Sequence, residues 1–313
     1  MDRDRETFGE SAVAGTLLGI DIGGTKIKTG YVTPEGRLEE CGLYSTPSDP
    51  KAAVDLLSGE IAGYEIPVPL AGIGIGCPGP LDQETGRVLS PPNLPGWHGF
   101  PLTEELEKRL GVPVRLENDG NAGALGEARH GSGAGYSHVF YLAVGTGLGA
   151  GIVIDSKIYR GAYGLAAEMW SFSPDVYGGT GCADILNDVC SGNGLVARFA
   201  RAVEAGVRTR IEPENADTYA ILAAWESGDP AAEAALEDAR CYLTGIIVNV
   251  LTMLAPEIVV LGGGLCTDAR WLVEPVCRMV RDSVPIEQLK DIPVRRAELW
   301  DSAVLYGAAS LFT

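Results

Sequence analysis

Three short stretches carry residues able to do chemistry. In "ENDGNA", residues 117–122, an amide and a carboxylate, Asn118 and Asp119, stand where the strand-like run "VRLE" gives way to a helical pattern. A carboxylate at a helix N-terminus has two uses. It can cap the helix by accepting a backbone N–H bond, or it can act as a general base kept ionised by the helix dipole. In "DIGGTK", residues 21–26, Asp21 precedes a glycine turn, and "VGTGLGAG", residues 144–151, repeats such a turn later. Glycine turns let backbone N–H groups approach an anion, and threonine adds a hydroxyl. The same residues also make plain tight hairpins, and Asp21 can close an Asx turn. Neither turn fits a Walker A loop or a Rossmann fingerprint.

These residues need a scaffold, and the surrounding pattern supplies one. "LLGIDIGGTKIKTGYVTPEGRLEECGLYS" reads as two strands about the glycine turn and a third strand after Pro34-Glu35-Gly36. A helical pattern follows through Ala53, Leu56, Leu57 and Ile61, and "LAGIGIGCPGP" reads as a buried strand ending in a Gly/Pro loop. "PLTEELEKRLG" predicts a short helix with Thr103 as N-cap and Gly111 just past its end. After the 117–122 elbow and its helix, "HVFYLAVGTGLGAGIVIDSKIYRG" returns to strand, turn, strand and short third strand. Helices are expected over 193–204, 216–227 and 230–254, then a buried strand "PEIVVLGGGL" running into Gly262, Gly263 and Gly264, and a terminal helix "SAVLYGAASLF". Two similar α/β halves, each opening on a glycine hairpin, predict a duplicated architecture with a cleft between the halves.

Composition narrows the function. The chain has 42 acidic against 24 basic side chains, a formal net charge of −18, and no basic patch, which argues against nucleic acid as a partner. No apolar run is long enough to span a membrane, and the charged start lacks the apolar region of a signal peptide. Seven cysteines without paired spacing suggest free thiols in a reducing compartment, so a soluble, cytoplasmic protein is expected.

Taken in order, "DIGGTKIKTG", "GIGCPGPLD", "PPNLPGW", "ENDGNAGALGE", "VGTGLGAGIV" and "APEIVVLGGG" resemble the ROK sugar kinases of the hexokinase/actin-like ATPase superfamily, from about Leu17 to Leu311. The resemblance implies two actin-like, ribonuclease-H-like α/β domains with an interdomain active-site cleft. The N-terminal domain would be 17–121 plus a C-terminal helix of about 300–313, the C-terminal domain 122–299, and residues 1–16 a disordered tail. It implies an ATP- and Mg²⁺-dependent kinase of a sugar or sugar-like polyol, working as a homodimer, with Asp119 as general base. Gly23, Gly24, Thr25 and Lys26 would face the nucleotide phosphates, with Gly145, Thr146 and Gly147 closing on them from the other half. Gly262, Gly263 and Gly264 would line the adenosine pocket, and Asp21 would sit near the magnesium through water. Gly79, Asn93, Asn118 and Glu168 would serve the sugar. The family's repressors carry a DNA-binding segment ahead of this region. The few residues before Leu17 lead to the expectation of the kinase branch.

One segment departs from the family pattern. In most ROK kinases a Glu-x-Gly-His stretch is followed by a cysteine-rich segment; the His and three Cys hold a structural zinc, and the His and two Glu touch the sugar. Here Glu168 remains, Trp170 stands for the Gly, Ser171 for the His and Asp184 for the second Glu, and Cys182 is the only thiol left. A tetrahedral zinc needs four N or S ligands, so no structural zinc is expected, and Trp170, Phe172 and Tyr177 would pack the turn instead. Ser171 and Asp184 alter two sugar-contacting groups, and a buried hydroxyl that loses its partner costs about 1–3 kcal/mol, so glucose is not taken as the default acceptor. The alternative is a catalytically silent ROK-fold sugar-binding or sensor protein, against which stand Asp119, Asp21 and the glycine motifs. A polyphosphate-dependent kinase finds no dedicated basic surface.

Overall fold

The computed structural model describes residues 15–33, 35–66, 68–172 and 185–313. Tyr177, Cys182 and Asp184 therefore lie outside the described residues.

The alternation of the opening segment builds the first sheet. β1 (Thr16–Ile22), β2 (Lys26–Val32) and β3 (Leu38–Ser45) form an antiparallel meander. After α1 (Pro50–Ala62), β4 (Leu70–Cys77) returns parallel to β1. A small hairpin of β5 (Leu81–Asp82) and β6 (Arg87–Val88) and the helix α2 (Leu102–Leu110) lead to β7 (Val114–Asn118), parallel to β4. The order is β3-β2-β1-β4-β7. Leu18, Ile20, Ile22, Ile73 and Ile75 are buried in one cluster with Leu57 of α1 and Leu106 of α2. The intervening positions meet the terminal helix directly, because Gly72, Gly74 and Gly76 carry no side chain toward Phe312, Ala308 and Val304.

β7 ends where α3 (Asp119–His130) begins, and the second sheet follows: β8 (Val139–Val144), β9 (Leu148–Ile154) and β10 (Lys157–Ile158). The helices α4 (Asn187–Cys190), α5 (Gly192–Glu204), α6 (Thr218–Glu226) and α7 (Pro230–Leu254) precede β11 (Ile258–Gly262), α8 (Val273–Ser283) and β12 (Val294–Arg296). The order β10-β9-β8-β11-β12 repeats the third-second-first-fourth-fifth arrangement of the first sheet, so the duplication read from the two glycine hairpins is present. α7 starts from Asp229, whose buried carboxylate accepts from the N–H groups of Ala231 (3.0 Å) and Ala232 (3.1 Å). α4, α5, α6 and α8 all pack on α7. The terminal helix α9 (Ala303–Ala309) packs on β1, β4 and α3.

Contacts divide the chain into two compact units. The first comprises residues through Val139, Gly151–Ala166 and Asp301–Thr313; the second comprises Phe140–Ala150 and Ala167–Trp300. The boundary expected at 121–122 would cut α3, and it moves because α3 lies against α9. A Cβ on Gly307 would stand 1.6 Å from the carbonyl oxygen of Ala122, an approach only glycine permits. Thr103 is also corrected: Pro101 holds the N-cap position of α2, and Thr103 is buried in the first turn against Gly86. Gly111 caps the C-terminus in the left-handed conformation, as expected. Among the described residues no helix is long and apolar enough to cross a membrane.

Candidate active site

β1, β4 and β7 are parallel neighbours, so their C-terminal ends share one edge of the first sheet. There the chain leaves β1 through Asp21 into the turn 23–25, leaves β4 toward Gly79, and leaves β7 through Asn118 into Asp119. Asp21 is in register with Gly76, and Cys77 with Asn118. Strand ends of this kind are where open α/β sheets hold ligands.

Each group at this edge is fixed locally. Asn118 Oδ1 accepts from the backbone N–H groups of Gly120 (2.9 Å) and Asn121 (3.2 Å), so the amide caps α3. The half-buried Asp119 carboxylate occupies the first helical position, where its Oδ1 accepts from Gly120 N (2.8 Å). The turn 23–25 is closed by Gly23 N donating to Lys26 O (2.8 Å) and braced by Thr46, whose hydroxyl donates to Gly23 O (2.7 Å) and whose N–H donates to Thr25 O (3.0 Å). Gly24, Thr25 and Lys26 are exposed. A Cβ on Gly24 would lie 3.1 Å from Asn93 O, so the "PPNLPGW" loop touches the turn. That loop is anchored by buried Trp97, which donates from Nε1 to Pro47 O (3.0 Å).

Electrostatics tie the carboxylates together. Burial, then the charge of Asp119, push the Asp21 carboxyl up to about 7; Lys28 opposes the shift and Asp301 adds to it. Burial, then Asp119 and Asp21, push the Cys77 thiol well up. Lys28 pairs with Asp21 in the β1–β2 register and reaches Asp301 Oδ2 at 2.5 Å. The negative charge that Asp119 and Asp301 place around the buried Asp21 carboxyl, opposed by Lys28, is charge that a nearby cation would offset.

In the second unit two glycine turns meet. Gly145 N donates to Gly147 O (2.9 Å), Gly192 N donates to Gly145 O (2.7 Å), and Leu148 N donates to Asn187 Oδ1 (3.3 Å). Thr146 lies between the two glycines. A Cβ on Gly145 would be 4.0 Å from Gly264 N, and one on Gly264 would meet nothing within 4 Å, so backbone is presented with room above it. Gly262 ends β11 beside the Tyr141 ring, and Gly263 follows at φ +84°, where a side chain would strike Val144. Such a cradle suits a nucleotide's anionic or planar parts.

The stretch that begins at Glu168 also belongs to the second unit. Glu168 precedes a single helical turn, Met169–Ser171; its Oε2 accepts from the indole N–H of Trp170, and its carbonyl accepts from Ser171 Oγ (2.9 Å). Phe172 O accepts from Leu186 N (2.7 Å), which links this turn to α4 and its Asn187. Packing of Trp170 and Phe172 in place of a metal is not what is found: they are 46 % and 39 % exposed.

A ROK family profile matches residues 17–313. The chain belongs to the ROK family. It is 31 % identical over 310 residues to a glucokinase of Streptomyces coelicolor, covering 95 % of this chain and 97 % of that one. It is 32 % identical to a xylose repressor of Caldicellulosiruptor bescii, covering 95 % of this chain and 78 % of the repressor. Among solved structures it resembles a ROK family glucokinase from Streptomyces griseus in complex with glucose and AMPPNP, at TM-score 0.78 and 32 % identity, covering 95 % of this chain and 99 % of that one. The fold is the two-domain actin-like, ribonuclease-H-like α/β architecture.

Sequence reasoning missed several residues of this ROK chain. Lys28 and Asp301 flank Asp21, and Glu117 and Arg160 form an ion pair at 2.7 Å beneath Asn118. The signal for Glu117 was available: a carboxylate inside the otherwise apolar end of a strand must have a partner. Nothing in the sequence pointed to Arg160, which lies 43 residues on. Asp184 lies outside the described residues. Among the described residues no group of three His, Cys, Asp or Glu side chains could hold a metal ion.

Proposed function

We propose that this chain is an ATP-dependent phosphotransferase acting on a hydroxyl of a sugar or sugar-like polyol. The observation that carries the reading is Asp119. Its carboxylate stands at the end of β7, one position past the capping Asn118, and is coupled to Asp21 at the strand edge that also bears the 23–25 turn. The family relationship supports the same chemistry.

Asp119 takes the proton of the acceptor hydroxyl as that oxygen forms a bond to the γ-phosphorus and the bond to the ADP oxygen breaks. Gly23, Gly24, Thr25, Lys26, Gly145, Thr146 and Gly147 donate to nucleotide phosphates. Gly262, Gly263 and Gly264 border the adenosine. Gly79, Asn93, Asn118, Glu168, Ser171 and Asp184 orient the acceptor. Mg²⁺, held at Asp21 through water, would supply charge neutralisation to the transferring group. The homodimer belongs to the same reading.

A second reading, a sugar-binding or sensor protein without turnover, draws on Ser171 in place of the family's His and on the bond that commits Glu168 to Trp170. One assay separates the two. ADP release is followed with ATP and Mg²⁺ across hexoses, N-acetylhexosamines, ketoses and inositols, with and without EDTA. Turnover that needs Mg²⁺ and falls by about a hundred- to ten-thousand-fold in Asp119→Asn supports the kinase. Saturable sugar binding without ADP release under any condition overturns it, and full turnover in Asp119→Asn removes that residue as base.

A further inference from the structure

Glu117 is a carboxylate of the first unit with no accessible surface, and no substrate role falls to its own side chain. Both of its oxygens are committed. Oε2 accepts from Arg160 Nε and Nη2, each at 2.7 Å. Oε1 accepts from the backbone N–H of Asn118 (2.9 Å) and from Asn121 Nδ2 (3.0 Å). Those two partners bracket Asp119 in the chain. Asn121 is itself buried, and it gives its amide N–H to Glu117 while its Oδ1 finds no donor among the described residues. An amide left half-satisfied in a buried place shows which bond the local structure keeps.

Arg160 is not part of the elbow. It follows β10 and opens a closed loop in which Ala166 N donates to Arg160 O (2.9 Å) and Tyr163 sits at φ +59°. Beyond that loop the chain runs directly into Glu168. A fork-shaped, half-exposed guanidinium gripping a single buried carboxylate oxygen is a directional tie, and a buried carboxylate is kept only when it is paired and its remaining hydrogen bonds are made.

We propose that Arg160 and Glu117 are positioning residues: through Asn118 N–H and Asn121 Nδ2 they hold the Asp119 elbow in its working orientation. The proposal rests on the kinase reading for its kinetic consequence but not for its structural one. A base misplaced by an ångström costs about a hundredfold in rate, so the pair acts on kcat rather than on nucleotide binding.

The test uses the full chain as the parent and as Arg160→Met, Arg160→Lys, Glu117→Gln and the double variant Glu117→Gln/Arg160→Met. Two readouts are taken: steady-state kinetics with the best acceptor from the panel, and amide hydrogen exchange. The expected result is that the single neutral variants lose about ten- to a hundredfold in kcat, with KM for ATP within about threefold of the parent. Exchange at residues 118–121 is expected to quicken in Arg160→Met while α7 keeps its protection, and Arg160→Lys should recover part of that protection. The double variant should be no slower than the worse single one, because the two residues act as one device. If Arg160→Met fails to fold with an uncompensated Glu117, the double variant, which buries no lone charge, replaces it, and a kcat equal to that of Glu117→Gln supports the pair. A kcat within twofold of the parent in the folded variants, losses that multiply in the double, or unchanged exchange at 118–121 overturns the proposal. If the parent turns over no acceptor, the kinase reading fails by itself, and the exchange comparison alone still decides the positioning.

Discussion

Asn118 and Asp119 divide two duties between neighbouring residues: the Asn118 amide caps α3 through Gly120 N (2.9 Å) and Asn121 N (3.2 Å), and the Asp119 carboxylate stands one position further on, inside the helix. Asp119 can therefore be altered without removing the cap. Asn118→Ala is expected to cost about 1 kcal/mol, the usual worth of a side-chain cap. Asp119→Asn keeps the shape and is expected to stay within about 0.5 kcal/mol of the parent while losing catalysis. Chemical denaturation of both variants checks this; a large stability loss in Asp119→Asn would make the carboxylate a structural cap after all.

The Asp21 carboxyl, pushed up to about 7 by burial and then by Asp119, gives a signed pH dependence. In the unfolded chain it titrates near the ordinary value of about 4, so the folded protein favours the neutral acid. Its contribution is full below that value and is lost as pH rises through about 7. Asp21→Asn removes the loss. In EDTA and without nucleotide, the variant should gain on the parent between about pH 5 and pH 8, by at most about 3 kcal/mol. Equal differences from the parent at the two pH values would mean that Asp21 ionises as an ordinary carboxylate.

Trp170 donates its indole N–H to Glu168 and lies 46 % exposed, so it orients that carboxylate without burying it. Trp170→Phe keeps most of the ring and deletes the donor. A charge-assisted bond at a partly exposed place is worth about 1 kcal/mol, which corresponds to a rise in the acceptor KM of about fivefold, with KM for ATP unchanged. An acceptor KM that falls instead would identify the indole as a competitor of the sugar for Glu168.

The legible parts of this fold are those whose signals are local. The strand-turn-strand openings and α7 could be read directly, because Leu18-x-Ile20-x-Ile22 alternates and the 25 residues of α7 run from an Asp229-Pro230 start without an internal breaker. α8 escaped, since Pro275 sits in its first turn and reads as a breaker although proline is tolerated there, and its buried face is only Val273, Val276 and Val280. β12 is three residues whose strand character comes from pairing with Val259, Val260 and Leu261 far earlier in the chain. The same division runs through the site. Asp119 and the glycine turns announce themselves by motif, whereas Arg160 and Asp301 gain meaning only from the carboxylate and ammonium that the folded chain brings to them.

Two glycine-to-alanine substitutions should act in opposite directions, and the reason is distance. At Gly307 the new methyl would stand 1.6 Å from the Ala122 carbonyl oxygen and 2.9 Å from Gly126 N, so α9 and α3 cannot keep their approach. Overpacking against backbone costs about 3 kcal/mol or more, since no side chain can turn aside. Because α3 carries Asp119 at its first position, the displaced helix should also lose kcat. At Gly59, inside α1, a methyl meets nothing within 4 Å and the residue is exposed. There alanine restores helix propensity and narrows the unfolded ensemble, for a gain of about 0.5–1 kcal/mol. Thermal and denaturant unfolding of the two variants beside the parent, with ADP release measured on the folded fraction, gives both signs at once. A Gly307→Ala chain as stable and as active as the parent would show that α9 does not set the position of α3.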